Sequence, residues 1–235
     1  MDFENALRSN IIDAAKSMSK GGTRFATFRK SFCNPKLWIL TNKGGFLLRD
    51  EVSPARGVND IFSNGEKYGF ECAVAIVIVF YKGVLDTIGA DKFNELFSNL
   101  LLFSWDADSD LGITTARVGA RYAKPGDCLY FKNPDVNPEK TEWQGENVIL
   151  LEEGRYYGHG LGIRDADGMI AALNKNRKKD ATESAYLDDI VSYPDYDTLA
   201  QYAPSNLSRY RADSRFPESL ITIRSRIGKR RTISV

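Results

Sequence analysis

Apolar residues recur at steps of three or four along the amino-terminal segment. This spacing is typical of an amphipathic helix that buries one face. The sequence therefore predicts a helix from about residue 3 to residue 18. The spaced positions are Phe3, Leu7, Ile11, Ala14 and Met18.

Two short apolar runs, at residues 38–40 and 46–49, flank the tetrapeptide Asn-Lys-Gly-Gly. Asparagine and glycine tolerate the positive φ angles that tight turns need. The sequence therefore predicts a β-hairpin over residues 38–49.

The run from Ala73 to Tyr81 is apolar on every side and follows a turn signal at residues 63–65. Its β-branched residues would suit a buried strand, but its length without a glycine or proline favours a helix. We therefore expect a buried central helix here, and a further short helix over residues 91–101.

The second half of the chain predicts strands separated by turns, at residues 127–131, 147–152 and 156–163, with a last turn at 165–168. Helices come first and the sheet afterwards, which indicates an α+β fold. Beyond about Tyr186 the pattern weakens into polar, proline-containing sequence. We expect one domain over residues 1–187 and a carboxy-terminal extension of unknown role over 188–235.

Composition is that of an ordinary globular protein, with 43% hydrophobic and 27% charged residues. Lys and Arg number 32 against 31 Asp and Glu, so no overall field attracts nucleic acid or an anionic membrane. The amino terminus lacks the basic and apolar regions of a secretory signal, and no apolar stretch is long enough to span a bilayer. We expect a soluble monomer made in the cytoplasm, with no nucleic-acid or membrane partner.

The three cysteines, Cys33, Cys72 and Cys128, are too few and too scattered for a disulfide framework. With a single histidine the chain is not expected to form a four-ligand zinc site. The run Asp106–Asp110 begins like an EF-hand loop, but Leu111 replaces the required glycine and Arg117 replaces the bidentate glutamate. We therefore expect no metal and no cofactor, and chemistry that uses side chains alone.

Cys72 lies at the start of the predicted buried helix, where free backbone amides and the helix dipole lower the pKa of a thiol. This position is typical of a nucleophile, although cysteine is also a common small core residue. His159, the only histidine, lies between two glycines on a predicted strand. A helix-borne cysteine followed by a strand-borne histidine is the order in papain-like enzymes, whose imidazole takes the thiol proton.

Two glutamates are alternative partners for the thiol. Glu146 begins a predicted strand, so we expect its carboxylate at the mouth of a cleft rather than in the core. Glu71 precedes Cys72, and on a helix it would project about 100° away and reach the thiol only by bending back. Either could instead be ordinary, Glu146 as a solvated acid and Glu71 as an acid that complements the helix dipole.

Seven blocks of sequence occur in a fixed order within residues 11–187. They are FATFRKSF at Phe25, FECAVAIVIVFY at Phe70, DTIGADKFN at Asp86, GDCLYFKNP at Gly126, EWQGENVILL at Glu142, HGLGI at His159 and SAYL at Ser184. In these blocks the chain resembles the small calcium-independent transglutaminases, or protein-glutamine gamma-glutamyltransferases, of bacterial spore coats. The resemblance implies a papain-like α+β core in which a buried nucleophile-bearing helix packs on a mainly antiparallel sheet.

The resemblance also implies roles for particular residues. Cys72 would lie in a tunnel open at both ends and form a thioester with a glutamine side chain, releasing ammonia, before a lysine amine resolves it. Glu146, or Glu71 as its substitute, would be the acid and base, and His159 would be auxiliary. The implied partners are proteins bearing glutamine and lysine, among them spore-coat proteins. The tunnel would be lined by Phe28, Trp105 and Trp143.

A glutamate base is unexpected from free-solution acidities, because cysteine has a pKa near 8.5 and glutamate near 4.3. The difference amounts to roughly 5.7 kcal/mol against proton transfer from the thiol to the carboxylate. Burial of the glutamate would reduce this penalty. Two other functions stay open. A cysteine amidase or endopeptidase would depend on His159, and an inactive structural coat protein would be indifferent to Cys72→Ala.

Overall fold

The computed structural model describes residues 2–103 and 110–207, together with the backbone of residues 222–224. Helices and strands alternate irregularly along the chain. In the described residues, no helix is both long enough and apolar enough to cross a bilayer. The helices are α1 (Phe3–Lys20), α2 (Pro54–Ser63), α3 (Cys72–Ile88), α4 (Ala90–Leu96), α5 (Ala166–Asn174) and α6 (Tyr196–Leu199).

The strands form one large antiparallel sheet and two small ones. They are β1 (Arg24–Phe25), β2 (Trp38–Leu40), β3 (Phe46–Leu48), β4 (Gly69–Phe70), β5 (Leu101–Leu102), β6 (Thr114–Arg117), β7 (Cys128–Lys132), β8 (Gly145–Leu150), β9 (Tyr156–Gly158), β10 (Gly162–Arg164), β11 (Tyr186–Tyr193) and β12 (Thr222–Arg224). The large sheet has the order β10-β9-β8-β7-β11-β6-β12, and all its pairings are antiparallel. Strands β2, β3 and β5 form a second sheet, and β1 pairs with β4 in parallel.

Helix α3 is the buried centre of the fold because its side chains are apolar on almost every side. Helix α1 packs along it, and Gly83 permits the close approach. A Cβ built at Gly83 would lie 2.5 Å from Cγ1 of Ile11. Packing on all sides fixes the axis of α3 and therefore the position of Cys72 at its first turn.

The large sheet has apolar residues on both faces. One face packs with α3 in the main core and includes Ile149 and Cys128. The other face forms a second core with Met169 and Leu173 of α5. The predicted α+β fold, with the Cys72 helix on an antiparallel sheet, is confirmed.

Several predicted elements are confirmed, and others need correction. Helix α1, the β2–β3 hairpin and helix α3 lie where the pattern predicted them. The predicted helix over residues 91–101 ends at Leu96, and Leu101 already belongs to β5. The predicted turn at residues 165–168 instead begins α5, because the Asp165 side chain caps the helix by accepting from the Gly168 amide at 2.8 Å.

Residues 156–163 form two strands rather than one. Strands β9 and β10 pair as a hairpin, and Gly160, at φ 91°, supplies left-handed backbone in its turn. His159 was expected on a strand, but it lies in this turn.

Strand β11 runs across residue 187 and pairs with both β6 and β7 inside the large sheet. Tyr196 and Leu199, farther along the chain, are buried in the main core. The packing therefore carries the folded core past residue 187. A separate role for the later residues stays a prediction.

Candidate active site

Cys72 is the first residue of α3, and its side chain is buried. Glu71 caps the helix: its Oε2 accepts from the Ala73 amide at 2.8 Å, and the Cys72 thiol donates to its Oε1 at 3.0 Å. Glu71 was expected to point away from Cys72, as neighbours on a helix do. It contacts the thiol because it precedes the helix in an extended conformation, at φ −82° and ψ 160°.

Asn147 of β8 also contacts the thiol, with 3.4 Å between its Nδ2 and Cys72 Sγ. Sequence reasoning missed this residue, although it directly follows Glu146 and alternates with it along the strand. An amide that donates to sulfur favours the thiolate. Asn147 therefore adds a donor to a thiol that already has a carboxylate acceptor.

Glu146 of β8 is buried, with 4% of its surface exposed, so the expectation of a carboxylate at a cleft mouth was wrong. Its Oε1 has no hydrogen-bond partner within the described part of the chain. Burial raises the pKa of Glu146, the charge of Glu71 raises it further, and the His159 backbone amide opposes both. The site therefore favours the protonated acid at Glu146.

The pKa of Cys72 is also raised, chiefly by burial and then by the charges of Glu146 and Glu71. The Asn147 backbone amide opposes this shift. We had expected the helix terminus to lower the thiol pKa, but burial and two carboxylates outweigh it. The resting site therefore holds a neutral thiol whose proton already lies on a hydrogen bond to Glu71.

His159 is buried and both of its ring nitrogens are engaged. Its Nε2 donates to the Arg24 carbonyl at 3.1 Å, which leaves Nδ1 to accept from the Tyr157 hydroxyl at 3.1 Å. The ring stacks on Phe70 at 4.6 Å. Burial lowers the pKa of His159 to about 4. In this geometry the imidazole is neutral, and neither nitrogen is left to take the proton of Cys72.

Two cavities adjoin this cluster. The larger, of about 510 Å³, is lined by Glu71 and Asn147, and the smaller, of about 120 Å³, by Glu146. Phe28 lines the larger cavity and Trp143 the smaller, whereas Trp105 lies outside the described residues. Phe103, which the sequence did not single out, packs on Phe28 with ring centroids 5.0 Å apart in the larger cavity. The two residues that contact the thiol, Glu71 and Asn147, thus line the larger cavity, and Glu146 lines the smaller one. A continuous tunnel past Cys72 stays a prediction.

Within the part of the chain that the structure describes, Cys33 and Cys128 differ from Cys72 because no carboxylate lies at hydrogen-bond distance from their thiols. Burial raises the pKa of Cys33 to about 11 and also raises the pKa of Cys128, a buried residue that borders the larger cavity. No three His, Cys, Asp or Glu residues of the described chain lie close enough together to hold a metal ion. Most of the aspartate-rich run, residues 106–109, lies outside the described residues.

Known proteins are similar to this chain in both sequence and fold. The sequence model of the family described as protein-glutamine gamma-glutamyltransferase matches residues 1–203. A protein of that name from Bacillus mycoides (strain KBAB4) is 46% identical over 206 residues, which cover 88% of this chain and 74% of the relative. Another, from Bacillus pumilus (strain SAFR-032), is 50% identical over 185 residues, which cover 79% of this chain and 74% of the relative.

Among solved structures, a transglutaminase from Geobacillus stearothermophilus, without its C-terminal extension, matches with a TM-score of 0.83 and 51% identity. The match covers 86% of this chain and 96% of that one. These findings confirm the resemblance that the seven sequence blocks predicted. This chain belongs to the protein-glutamine gamma-glutamyltransferase family.

Proposed function

We propose that this chain crosslinks proteins by joining glutamine side chains to lysine amines through a thioester on Cys72. The observation that carries the proposal is the buried Cys72 thiol, which donates to Glu71 at 3.0 Å and faces the Asn147 amide at 3.4 Å. A nucleophile, a proton acceptor and a donor to the developing charge thus meet at one sulfur.

In the first half of the reaction, sulfur attacks the glutamine carboxamide carbon and the thiol proton passes to Glu71. The neighbouring acid, Glu146, protonates the departing nitrogen, so the C–N bond breaks and ammonia leaves. This division of work follows from the contacts, because Glu71 holds the thiol hydrogen bond and burial favours the acid form of Glu146. The acyl group remains on Cys72 as a thioester.

In the second half, the lysine ammonium gives one proton to the Glu146 carboxylate and the free amine attacks the thioester. The C–S bond breaks, the leaving thiolate takes the second amine proton, and Glu71 returns to its carboxylate form. The proton that Glu71 loses combines with the released ammonia to give ammonium. Water competes with the amine for the thioester, and a buried thiol with narrow approaches favours the amine.

The proposal includes calcium independence and protein substrates of the spore coat. Calcium independence is supported by the aspartate-rich run, in which Leu111 and Arg117 occupy positions that an EF-hand needs for glycine and glutamate. Spore-coat substrates rest on the family resemblance. A cysteine amidase is disfavoured because both ring nitrogens of His159 are hydrogen-bonded away from the thiol.

The test is incorporation of a fluorescent primary amine into a glutamine-rich protein in the presence of a chelator, with ammonia release followed separately. Wild type and Cys33→Ala should incorporate the amine, and Cys72→Ala should not. Ammonia without incorporation would indicate a deamidase. Incorporation by Cys72→Ala, or only after calcium is added, would overturn the corresponding part of the proposal.

A further inference from the structure

The two cavities beside the thiol differ in their chemistry. The smaller one has apolar walls from Phe25, Trp143 and Leu161, and carries two carboxylates, Glu142 and Glu146. The larger one carries amide and hydroxyl groups, from Gln144, Asn147, Thr115, Ser192 and Tyr130. Its one carboxylate, Glu71, is already hydrogen-bonded to the Cys72 thiol and to the Ala73 amide. One cavity therefore suits a hydrocarbon stem that ends in a cation, and the other suits a neutral carboxamide.

A lysine side chain is such a stem, four methylene groups ending in an ammonium, and it buries its stem along apolar surface while its charge meets water or an acid. A volume of about 120 Å³ is of the size of one such side chain. We propose that the smaller cavity is the lysine side of the reaction and that Glu142 is the specificity-determining residue that attracts its ammonium. This inference rests on the proposed transglutaminase function.

Glu142, rather than Glu146, is the charged group of this cavity. Glu146 is buried and its pKa is raised, so before acylation it favours the neutral acid. Glu142 lies in the half-exposed turn Thr141–Trp143. Its side chain makes no ion pair or hydrogen bond within the described residues, and neighbouring Lys140 donates to Asn176 at 3.1 Å instead. The carboxylate is therefore available to an incoming cation.

The two glutamates act in sequence on the same substrate. Glu142 attracts the ammonium to the smaller cavity. Deeper in that cavity, Glu146 has given its proton to the departing ammonia and can accept one from the ammonium. The uncharged amine then forms the C–N bond to the acyl carbon as the C–S bond to Cys72 breaks.

The test is the steady-state kinetics of Glu142→Gln, which removes the charge and keeps the shape. The KM for an alkyl ammonium such as monodansylcadaverine should rise about 5-fold, since a half-exposed charge pair contributes on the order of 1 kcal/mol and about 1.4 kcal/mol is tenfold. The KM for the glutamine donor should not change. Hydroxylamine, which is largely neutral at the assay pH, should react equally well with both forms.

Glu139→Gln is the matched control, because it removes the same charge from an exposed position in the preceding loop that does not line the cavity. It should leave all three substrates unaffected, and Glu142→Asp should restore most of the amine affinity. An unchanged amine KM in Glu142→Gln would overturn the inference, as would a rise confined to the glutamine donor. Failure of the proposed function would look different, as loss of Cys72-dependent incorporation in the wild type.

Discussion

A buried ion pair joins the first helix to the segment that leads into strand β7. Arg8 and Asp127 are 6% and 0% exposed, and Arg8 Nη1 donates to Asp127 Oδ1 and to the Pro125 carbonyl, each at 2.9 Å. Arg8 Nε donates to Glu4 at 2.7 Å. The change Arg8→Met keeps an unbranched stem of similar length and leaves the Asp127 carboxylate buried without the arginine charge.

The expected cost is large because the pair is buried. Removing one partner of a buried pair costs about 3–5 kcal/mol of unfolding free energy. At about 2–4 °C for each kcal/mol in a chain of this size, the Tm should fall by roughly 6–20 °C. Arg117 and Asp188 form a geometrically similar pair at 2.8 Å, but the Arg117 side chain is 65% exposed. Arg117→Met should therefore cost only about 0–1 kcal/mol.

Thermal and urea unfolding of the two arginine variants and the wild type measure this difference. Burial is the variable that separates the pairs, so Arg8→Met should be much less stable and Arg117→Met nearly unchanged. Equal losses in the two variants would show that burial does not set the strength of these pairs, and an Arg8→Met protein as stable as the wild type would show the same. Asp127 directly precedes β7, which pairs with β8, the strand of Glu146. We therefore also expect Arg8→Met to lose activity at temperatures close to those at which this variant unfolds.

Three further predictions concern the site and its supports. The free energy of unfolding should fall as the pH drops from about 6.5 toward about 4, because His159 is protonated near pH 6.5 in the unfolded chain and only near pH 4 in the folded one. His159→Gln should flatten the plot of stability against pH in this range, and an unaltered slope would contradict the lowered pKa of His159. Asn147→Ala should slow alkylation of Cys72 by iodoacetamide about 10-fold at a fixed pH, since the side-chain amide that donates to the sulfur is lost and the backbone amide is perturbed. Peptide mass spectrometry separates Cys72 from the other thiols, and an equal rate would argue against the contact between Asn147 and the sulfur. Gly83→Ala should cost about 1–3 kcal/mol in urea unfolding, despite the better helix propensity of alanine, because its methyl meets Ile11; a gain in stability would show that α1 does not pack this closely.

Local patterns predicted the elements whose burial is uniform or strictly periodic. Helix α1 has one apolar face and was readable from its spacing, whereas α3 is apolar all round and was readable from the length of its unbroken apolar run. Strand β11, Tyr186–Tyr193, was missed because two aspartates interrupt its apolar positions. Its place in the sheet depends on pairing with β6 and β7, which are distant in sequence.

The candidate site was predictable in its residues but not in its geometry. The family resemblance named Cys72, Glu71 and Glu146, and these carry the chemistry proposed above. The contact between Glu71 and the thiol depends on where α3 begins, which is the least certain feature of any sequence-based prediction. The contact of Asn147 depends on how β8 packs against α3, which no local pattern encodes.

Intact-mass spectrometry can detect the acyl-enzyme that the proposed reaction requires. The protein is mixed with a short glutamine peptide in the presence of a chelator and without an amine, then quenched in acid, which preserves thioesters. We expect an adduct on Cys72 with the mass of the peptide less ammonia. It should be absent from Cys72→Ala and lost when an amine is added before the quench. No adduct on the wild type under turnover, or an adduct on another residue, would contradict the proposed reaction.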